Sequence, residues 1–240
     1  MEVLFDSNSH KNVMFFDLTK GDMIQANQHV IIDSTESMIL DPGGSKVYSK
    51  LFSHLADVTN PNKLKYIFFS HQDPDIVSSS NSWFTITEAN AFLSQLWIRF
   101  MHHFCIDDYV KNRITPIPDE GMTIKLGESE LLVIPAHFLH SAGNFQVYDP
   151  ISKILYSGDL GASFGNDYVV VEDFDKHIPY IEDFHKRYIP CSGVIQKWLE
   201  TIKNLDIQII APQHGAVYIG SSVKRFLEWL KVLRCGVEIM

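Results

Sequence analysis

Thiols are the scarcest reactive groups in this chain. Its three cysteines, Cys105, Cys191 and Cys235, are far apart and odd in number, and no Cys-x-x-Cys pair occurs. That pattern argues against a thiolate-held zinc or iron–sulfur centre. The three read as reduced, mostly buried thiols of a cytosolic protein. Long apolar runs are missing too. None reaches the ~18 residues of a membrane span, and Met1-Glu2-Val3-Leu4-Phe5-Asp6 lacks the basic-then-apolar order of a secretion signal. Positive charge is short: 20 Lys and Arg stand against 29 Asp and Glu, a net charge of −9. No basic surface for a nucleic-acid backbone is expected, so nucleic acid is not a partner, nor is a membrane. Low-complexity segments, linkers and fixed-period repeats are absent. What remains is 240 residues, 45% of them hydrophobic, which suits one globular domain over 1–240 in the cytoplasm.

Short apolar segments open the chain, Val3–Phe5 and Val13–Phe16. Gln28–Ile32 and Ser37–Leu40 read as a hairpin around the turn Asp33-Ser34-Thr35-Glu36. Asp41-Pro42-Gly43-Gly44 closes it, and a helix follows through Phe52 and Leu55. Tyr66–Phe69 is a buried strand. Thr87, with Asn90 three residues on, opens an expected helix through Phe92, Leu96 and Phe100. A second run of strands covers Thr123–Lys125, Glu130–Ile134, Phe145–Tyr148 and Lys153–Tyr156. Residues 172–203 are helical in pattern and broken at Pro190. Ile207–Ala211 is a last strand, and an amphipathic helix runs from Ser222 to Arg234. Strands and a helix, then strands and helices, describe an α+β chain of two packed sheets with helices outside.

The chemistry collects at strand ends. His71, Asp73 and Asp75 alternate just after Phe68-Phe69-Ser70, and Pro74 keeps Asp73 out of helical geometry on an extended loop. His140 follows Leu131–Ile134, Asp159 follows Ile154-Leu155, and His214 follows Ile209-Ile210. Singly, each is ordinary: a loop histidine, or an aspartate in a turn or a helix cap. Together, three His and three Asp are enough for two metal ions with one carboxylate bridging. Oxygen and nitrogen donors without thiolate suit iron, manganese or zinc.

These loops resemble those of flavodiiron proteins, in the metallo-β-lactamase superfamily. His71-Gln72-Asp73-Pro74-Asp75 is similar to that family's His-x-Glu-x-Asp loop, and His140-Ser141-Ala142-Gly143-Asn144 to its His-Ser-Pro-Gly-Asn loop. Ser157-Gly158-Asp159 matches Ser-Gly-Asp, Pro212-Gln213-His214-Gly215 matches Pro-x-His-Gly, and Asp41-Pro42-Gly43-Gly44 is like the superfamily's Asp-x-Gly turn. The resemblance spans nearly the whole chain. It implies a four-layer αββα sandwich with the metals at the sheet edge. One iron would be held by His71, Asp73 and His140, the other by Asp75 and His214, with Asp159 between them. Two positions depart from the family: Asp73 replaces a glutamate, and Ile76 stands where the second iron's histidine is usual. Ile cannot ligate, so that iron would keep an open position beside an apolar side chain, where a diatomic or water binds.

The resemblance also implies the function. Three carboxylates leave two divalent ions a formal charge of about +1, which argues for redox iron over hydrolytic zinc. No flavodoxin domain and no rubredoxin-like cysteines accompany the diiron domain, so the chain is similar to stand-alone oxygen-binding diiron proteins proposed as chemotaxis sensors. Two iron ions with bridging oxo, hydroxo or peroxo species, binding dioxygen as a peroxo-diferric adduct, are the expected cofactor. A chemotaxis signalling protein is the expected partner, and the family's habit of dimerising makes a homodimer one expected state. The rival readings are an oxygen or nitric-oxide reductase using an external flavoprotein donor, a hydrolase with a metal-bound hydroxide, and a purely structural metal site.

Further residues invite both a sharp and a bland reading. His29 falls where this family lines its oxygen pocket, yet packing alone also explains it. His137 reads equally as a partner behind the ligands, a pocket wall or an exposed loop residue. Met101-His102-His103-Phe104 reads as a helix end rather than a metal pair. Trp83, Phe84, Phe164 and Tyr168 are candidates to roof the site, though such rings usually only pack. Asp173, Asp175, His177, Glu182, Asp183 and His185 read as a solvated helix face.

Overall fold

The computed structural model describes residues 1–104 and 108–240; Cys105, read above as a buried thiol, lies outside the described residues. β1 (Glu2–Asp6), β2 (His10–Phe15), β3 (Gln28–Asp33) and β4 (Glu36–Leu40) form an antiparallel meander. The chain crosses through α1 (Tyr48–Val58) to β5 (Leu64–Phe68), then through α2 (Pro74–Val77) and α3 (Ser80–Ile86) to β6 (Asn90–Ser94) and β7 (Ile114–Ile117). From β4 to β7 each strand is parallel to its neighbour. A second sheet begins with β8 (Met122–Leu126), β9 (Ser129–Pro135), β10 (Phe145–Asp149) and β11 (Ile154–Gly158), all antiparallel. α4 (Phe174–Tyr188) and α5 (Ser192–Ile202) lead to β12 (Ile209–Pro212), parallel beside β11. β13 (Tyr218–Ile219) closes that edge, and α6 (Ser221–Val232) follows.

Strand periodicity sorts the apolar residues into layers. Along β4 and β5, Met38, Leu40 and Phe68 face the second sheet, while Ile39 and Ile67 face α1 and α3. Along β11 and β12, Ile154, Tyr156 and Ile209 face the first sheet, while Leu155 and Ile210 face α4, α5 and α6. Three apolar clusters, one between the sheets and one outside each, make the αββα sandwich. No helix among the described residues is long and apolar enough to cross a membrane.

Two expectations fail here. The helix from Thr87 through Phe100 does not form. Thr87 instead closes α3, its backbone N–H and hydroxyl both donating to the Trp83 carbonyl at 3.0 and 2.8 Å. Residues 90–94 become β6, which lies between β5 and β7 and is covered on both faces, so it reads as a near-continuous apolar run rather than an alternating one. The second failure is confined to two residues of the expected solvated face on α4: Asp173, Asp175 and Asp183 are exposed and Glu182 half-exposed, but the two histidines are not. His177 and His185 are fully buried with Phe174 and Ile181, at helical spacing. Burial pushes both imidazoles down to about 4, so they are neutral. Asp173 does serve the helix end, accepting a hydrogen bond from the Lys176 N–H at 3.3 Å. Met101-His102-His103-Phe104 ends a 3-10 segment, Ile98–Phe104.

A buried polar network also joins the sheets. His10 on β2 bonds the Asp149 carboxylate on β10 at 2.6 Å, Asn12 donates to the same oxygen at 2.8 Å, and Asp33 lies 3.5 Å from the other His10 nitrogen. Burial alone would lower the His10 pKa, but the two carboxylates reverse this and hold it above its ordinary value. Burial would raise Asp149, but His10 and its other partners hold it below the usual carboxylate range. The two signs bracket a window. The His10 contribution is complete below about pH 6.5 and fades as pH rises through its elevated pKa; the Asp149 contribution is complete above about pH 4 and fades as pH falls through its depressed one. Asp149→Asn is therefore expected to cost about 3 kcal/mol near pH 5.5 and less at pH 9, measured by urea unfolding.

Candidate metal centre

Four loops bring the six expected donors to one edge of the sandwich. β5 delivers His71, which is buried. Its Nδ1 bonds the Ser70 hydroxyl at 2.9 Å, and the Ser70 N–H donates to the Asp41 carboxylate at 2.8 Å. The Asp-Pro-Gly-Gly turn thus anchors the first ligand loop. Asp73 is extended, as Pro74 requires, but Asp75 already sits in the first turn of α2 rather than on an extended loop. Loop 136–144 carries His140; the Asn144 amide ties it down by donating to the Leu139 carbonyl at 2.7 Å.

β12 delivers His214, and the segment before and into β3 cradles it. Asn27 donates to the carbonyls of Pro212 and Gly215 at 2.9 and 3.0 Å. His214 Nδ1–H donates to the Gln25 carbonyl at 2.6 Å, which fixes the tautomer and leaves the Nε2 lone pair facing the site. His29 belongs to this cradle. It is buried between the sheets, 3.2 Å from the Pro212 carbonyl and packed on Tyr156, and it does not line the cavity.

Asp159 stands at the centre. One of its oxygens, Oδ2, lies 2.7 Å from His140 Nε2 and 3.7 Å from His71 Nε2. Asp73 Oδ2 is 3.6 Å from each of those two nitrogens. The other Asp159 oxygen, Oδ1, lies 3.6 Å from His214 Nε2, which is itself 3.3 Å from Asp75 Oδ2. Among the described residues, His71, Asp73, His140 and Asp159 form one group whose donor atoms all lie within 4.8 Å of one another. Asp75 and His214 stand on the other side of Asp159.

Charge balance within the cluster is unusual. Burial would lower His71, but Asp159, Asp73 and Asp41 push it up to about 9. Burial would raise Asp159, but the three histidines hold it well below the usual carboxylate range. Burial pushes Asp41 up to about 6. Cation and carboxylate strongly prefer each other here, which is what a cation-binding centre requires. Two buried atoms, His71 Nε2 and Asp159 Oδ1, have no hydrogen-bond partner within the protein. Buried polar atoms rarely stay unpaired, and a pair of cations on either side of Asp159 would satisfy both. The donor set fits the ions that the loops imply.

A cavity of about 770 Å³ opens onto the cluster, lined by Asp73, Asp75, His140, Asp159 and His214 and walled by aromatic rings. Phe164 is one of them, 5.4 Å from the His214 ring. Trp83 and Phe84 are instead packed in the first-sheet core, and Tyr168 lines a neighbouring cavity. Ile76 is also fully buried in that core, so the apolar side chain expected beside the open position points elsewhere. His137 bonds the Asp119 carbonyl at 3.0 Å and lines a separate cavity. Sequence reasoning missed Phe184 and Tyr188, which pack against the His140 ring at 5.8 and 5.3 Å. Their i, i+4 spacing on α4 was the available signal. It also missed Gln72, whose amide donates to Asp73 Oδ1 at 3.1 Å while its carbonyl accepts from Ser141 at 2.6 Å, linking two ligand loops.

Known proteins share this architecture. The chain is similar to a structure of the peroxy diiron species of the chemotaxis sensor ODP, with a TM-score of 0.90 and 41% identity over 100% of this chain and 98% of that one. The apo state of the chemotaxis sensor ODP from T. denticola gives 0.88 and 41%, over 99% and 96%. A flavodiiron protein mutant from Thermotoga maritima gives 0.81 at 16% identity, over 96% of this chain and 60% of that one, a likeness of fold alone. The chain spans about half the length of the curated relatives it matches first, 52% and 50%. A family model described as ODP family beta lactamase matches residues 24–215. With the sandwich and its convergent histidines and aspartates in place, that match makes the chain a member of the ODP family of β-lactamase-like proteins.

Proposed function

We propose that this chain holds a pair of iron ions, binds dioxygen at them, and serves as a cytoplasmic oxygen sensor linked to chemotaxis signalling. The observation that carries the reading is Asp159, whose two oxygens face two separate groups of donors. His71, Asp73 and His140 would hold one ion, Asp75 and His214 the other, with Asp159 shared. Once bound there, a reduced iron pair would supply electrons to dioxygen. The protein's own contribution is positioning. The Gln25 carbonyl sets the His214 tautomer, the Ser70 hydroxyl holds the His71 ring through its Nδ1, Gln72 orients Asp73, and the rings of Phe164, Phe184 and Tyr188 form an apolar wall. Residues 1–240 are taken as a single domain, a reading supported by the apolar cluster that runs between the sheets. The sensor role is supported by the likeness to the chemotaxis sensor ODP, which covers at least 96% of each chain compared.

Anaerobic loading with Fe(II), metal analysis and an optical spectrum before and after air test the proposal. Two iron ions per chain and a visible band that persists in air are expected. A preference for zinc together with no band on exposure to oxygen would sink it. The reductase reading expects instead sustained oxygen or nitric-oxide consumption with a supplied flavoprotein donor.

A further inference from the structure

Beside the metal cavity runs a hydrogen-bond chain, buried at His177 and Tyr218 and half-buried at Tyr168, that the ligand set does not use. The Tyr168 hydroxyl lies 2.7 Å from His177 Nδ1, and His177 Nε2 lies 3.1 Å from the Tyr218 hydroxyl. Tyr218 in turn donates to the Gly161 carbonyl at 2.8 Å, two residues past Asp159. This last bond fixes the others. Tyr218 has spent its proton on a carbonyl, so it accepts from His177 Nε2–H. His177 Nδ1 is then the acceptor for the Tyr168 O–H. Burial keeps the imidazole neutral. The result is a phenol hydrogen-bonded to a ready base.

Tyr168 also borders the site. Its cavity shares Met23, Ile24 and Phe164 with the metal cavity. Its ring lies 6.0 Å from that of Tyr180, whose carbonyl accepts from the Phe164 N–H at 3.1 Å. Phe164 reaches His214 at 5.4 Å between ring centres.

We propose that Tyr168, with His177 as its base, is a one-electron donor site serving an oxidised metal ion in the neighbouring cavity. The electron leaves the Tyr168 phenol for the ion, which falls by one oxidation state. The phenolic proton moves to His177 Nδ1, leaving a neutral phenoxyl radical beside an imidazolium. A phenol that keeps its proton on losing an electron becomes a strong acid, so a base already in place makes the oxidation easier. The natural acceptor rests on the iron reading, but the donor is tested without iron.

Metal-free protein is oxidised by flash-generated tris(bipyridine)ruthenium(III), and the phenoxyl radical is followed by transient absorption and by electron paramagnetic resonance. One dominant radical is expected among the nine tyrosines. It is expected to form more slowly in D2O, to vanish in Tyr168→Phe and to survive in Tyr180→Phe. A signal unchanged by Tyr168→Phe, or a rate indifferent to D2O, would overturn the assignment. Thermal melts of both variants check that each is folded.

Discussion

Asp159→Asn is expected to lower affinity for at least one metal ion by about 100-fold or more, the scale on which even outer partners of a ligand act. The reason is geometric. Among the described residues, Asp159 alone presents an oxygen to both donor groups, 2.7 Å from His140 on one side and 3.6 Å from His214 on the other. An amide keeps the shape but turns one of those oxygens into an N–H donor, which repels a cation. It also removes one of the three carboxylate charges that offset two divalent ions. The metal-free variant behaves differently. Asp159 and its neighbours hold His71 up to about 9. Once Asp159 is neutral, His71 sheds its proton more readily and avoids a buried unpaired charge. The metal-free fold is then expected to lose only about 1–3 kcal/mol. Iron titration under nitrogen, with urea unfolding alongside, separates the two effects. Two iron ions bound at wild-type affinity would show that Asp159 bridges nothing.

How much of this was legible depended on whether the signal was local. The ligands were legible because each loop announces itself. Donors lie next to Pro, Gly or Ser just past an apolar run, as in Tyr156-Ser157-Gly158-Asp159. The sandwich was legible through the resemblance of the ligand loops, and β3, β4 and β11 as short apolar runs that the fold buries on both faces. β6, buried in the same way, was not, because Thr87 with Asn90 offered a plausible helix start and a run without alternation does not rule a helix out. β7 went unassigned; it contains Pro116 and is the edge of its sheet, where a missing N–H is tolerated. His177 and His185 looked solvated because acidic residues surround them in sequence; in space they face Tyr218 and Trp229. Contacts such as Gln72 with Ser141 cross between loops 69 positions apart, and no local pattern encodes them.

Gly215→Ala is expected to be the most damaging single-methyl change near the site. Gly215 has φ +76°, in the left-handed region, which costs a residue bearing a Cβ about 1–2 kcal/mol. Space is the larger problem. A methyl there would overlap both the hydroxyl and the carbonyl oxygen of Ser163. Ser163 cannot step aside freely, because its N–H donates to the His214 carbonyl at 3.2 Å and its hydroxyl accepts from Ala216 N–H at 3.0 Å. The clash adds about 1–3 kcal/mol of overpacking, for a total loss of about 2–5 kcal/mol in urea unfolding. The same strain must move His214, since the loop is pinned on its other side by Asn27 and Gln25. Affinity for the ion beside Asp75 is therefore expected to fall further than affinity for the ion beside His71. Adding Ser163→Gly removes the hydroxyl but leaves the carbonyl and the positive φ, so the double variant is expected to recover only part of the loss. A Gly215→Ala protein as stable as wild type, with both ions bound normally, would mean that the His214 loop has slack the contacts around Ser163 do not suggest.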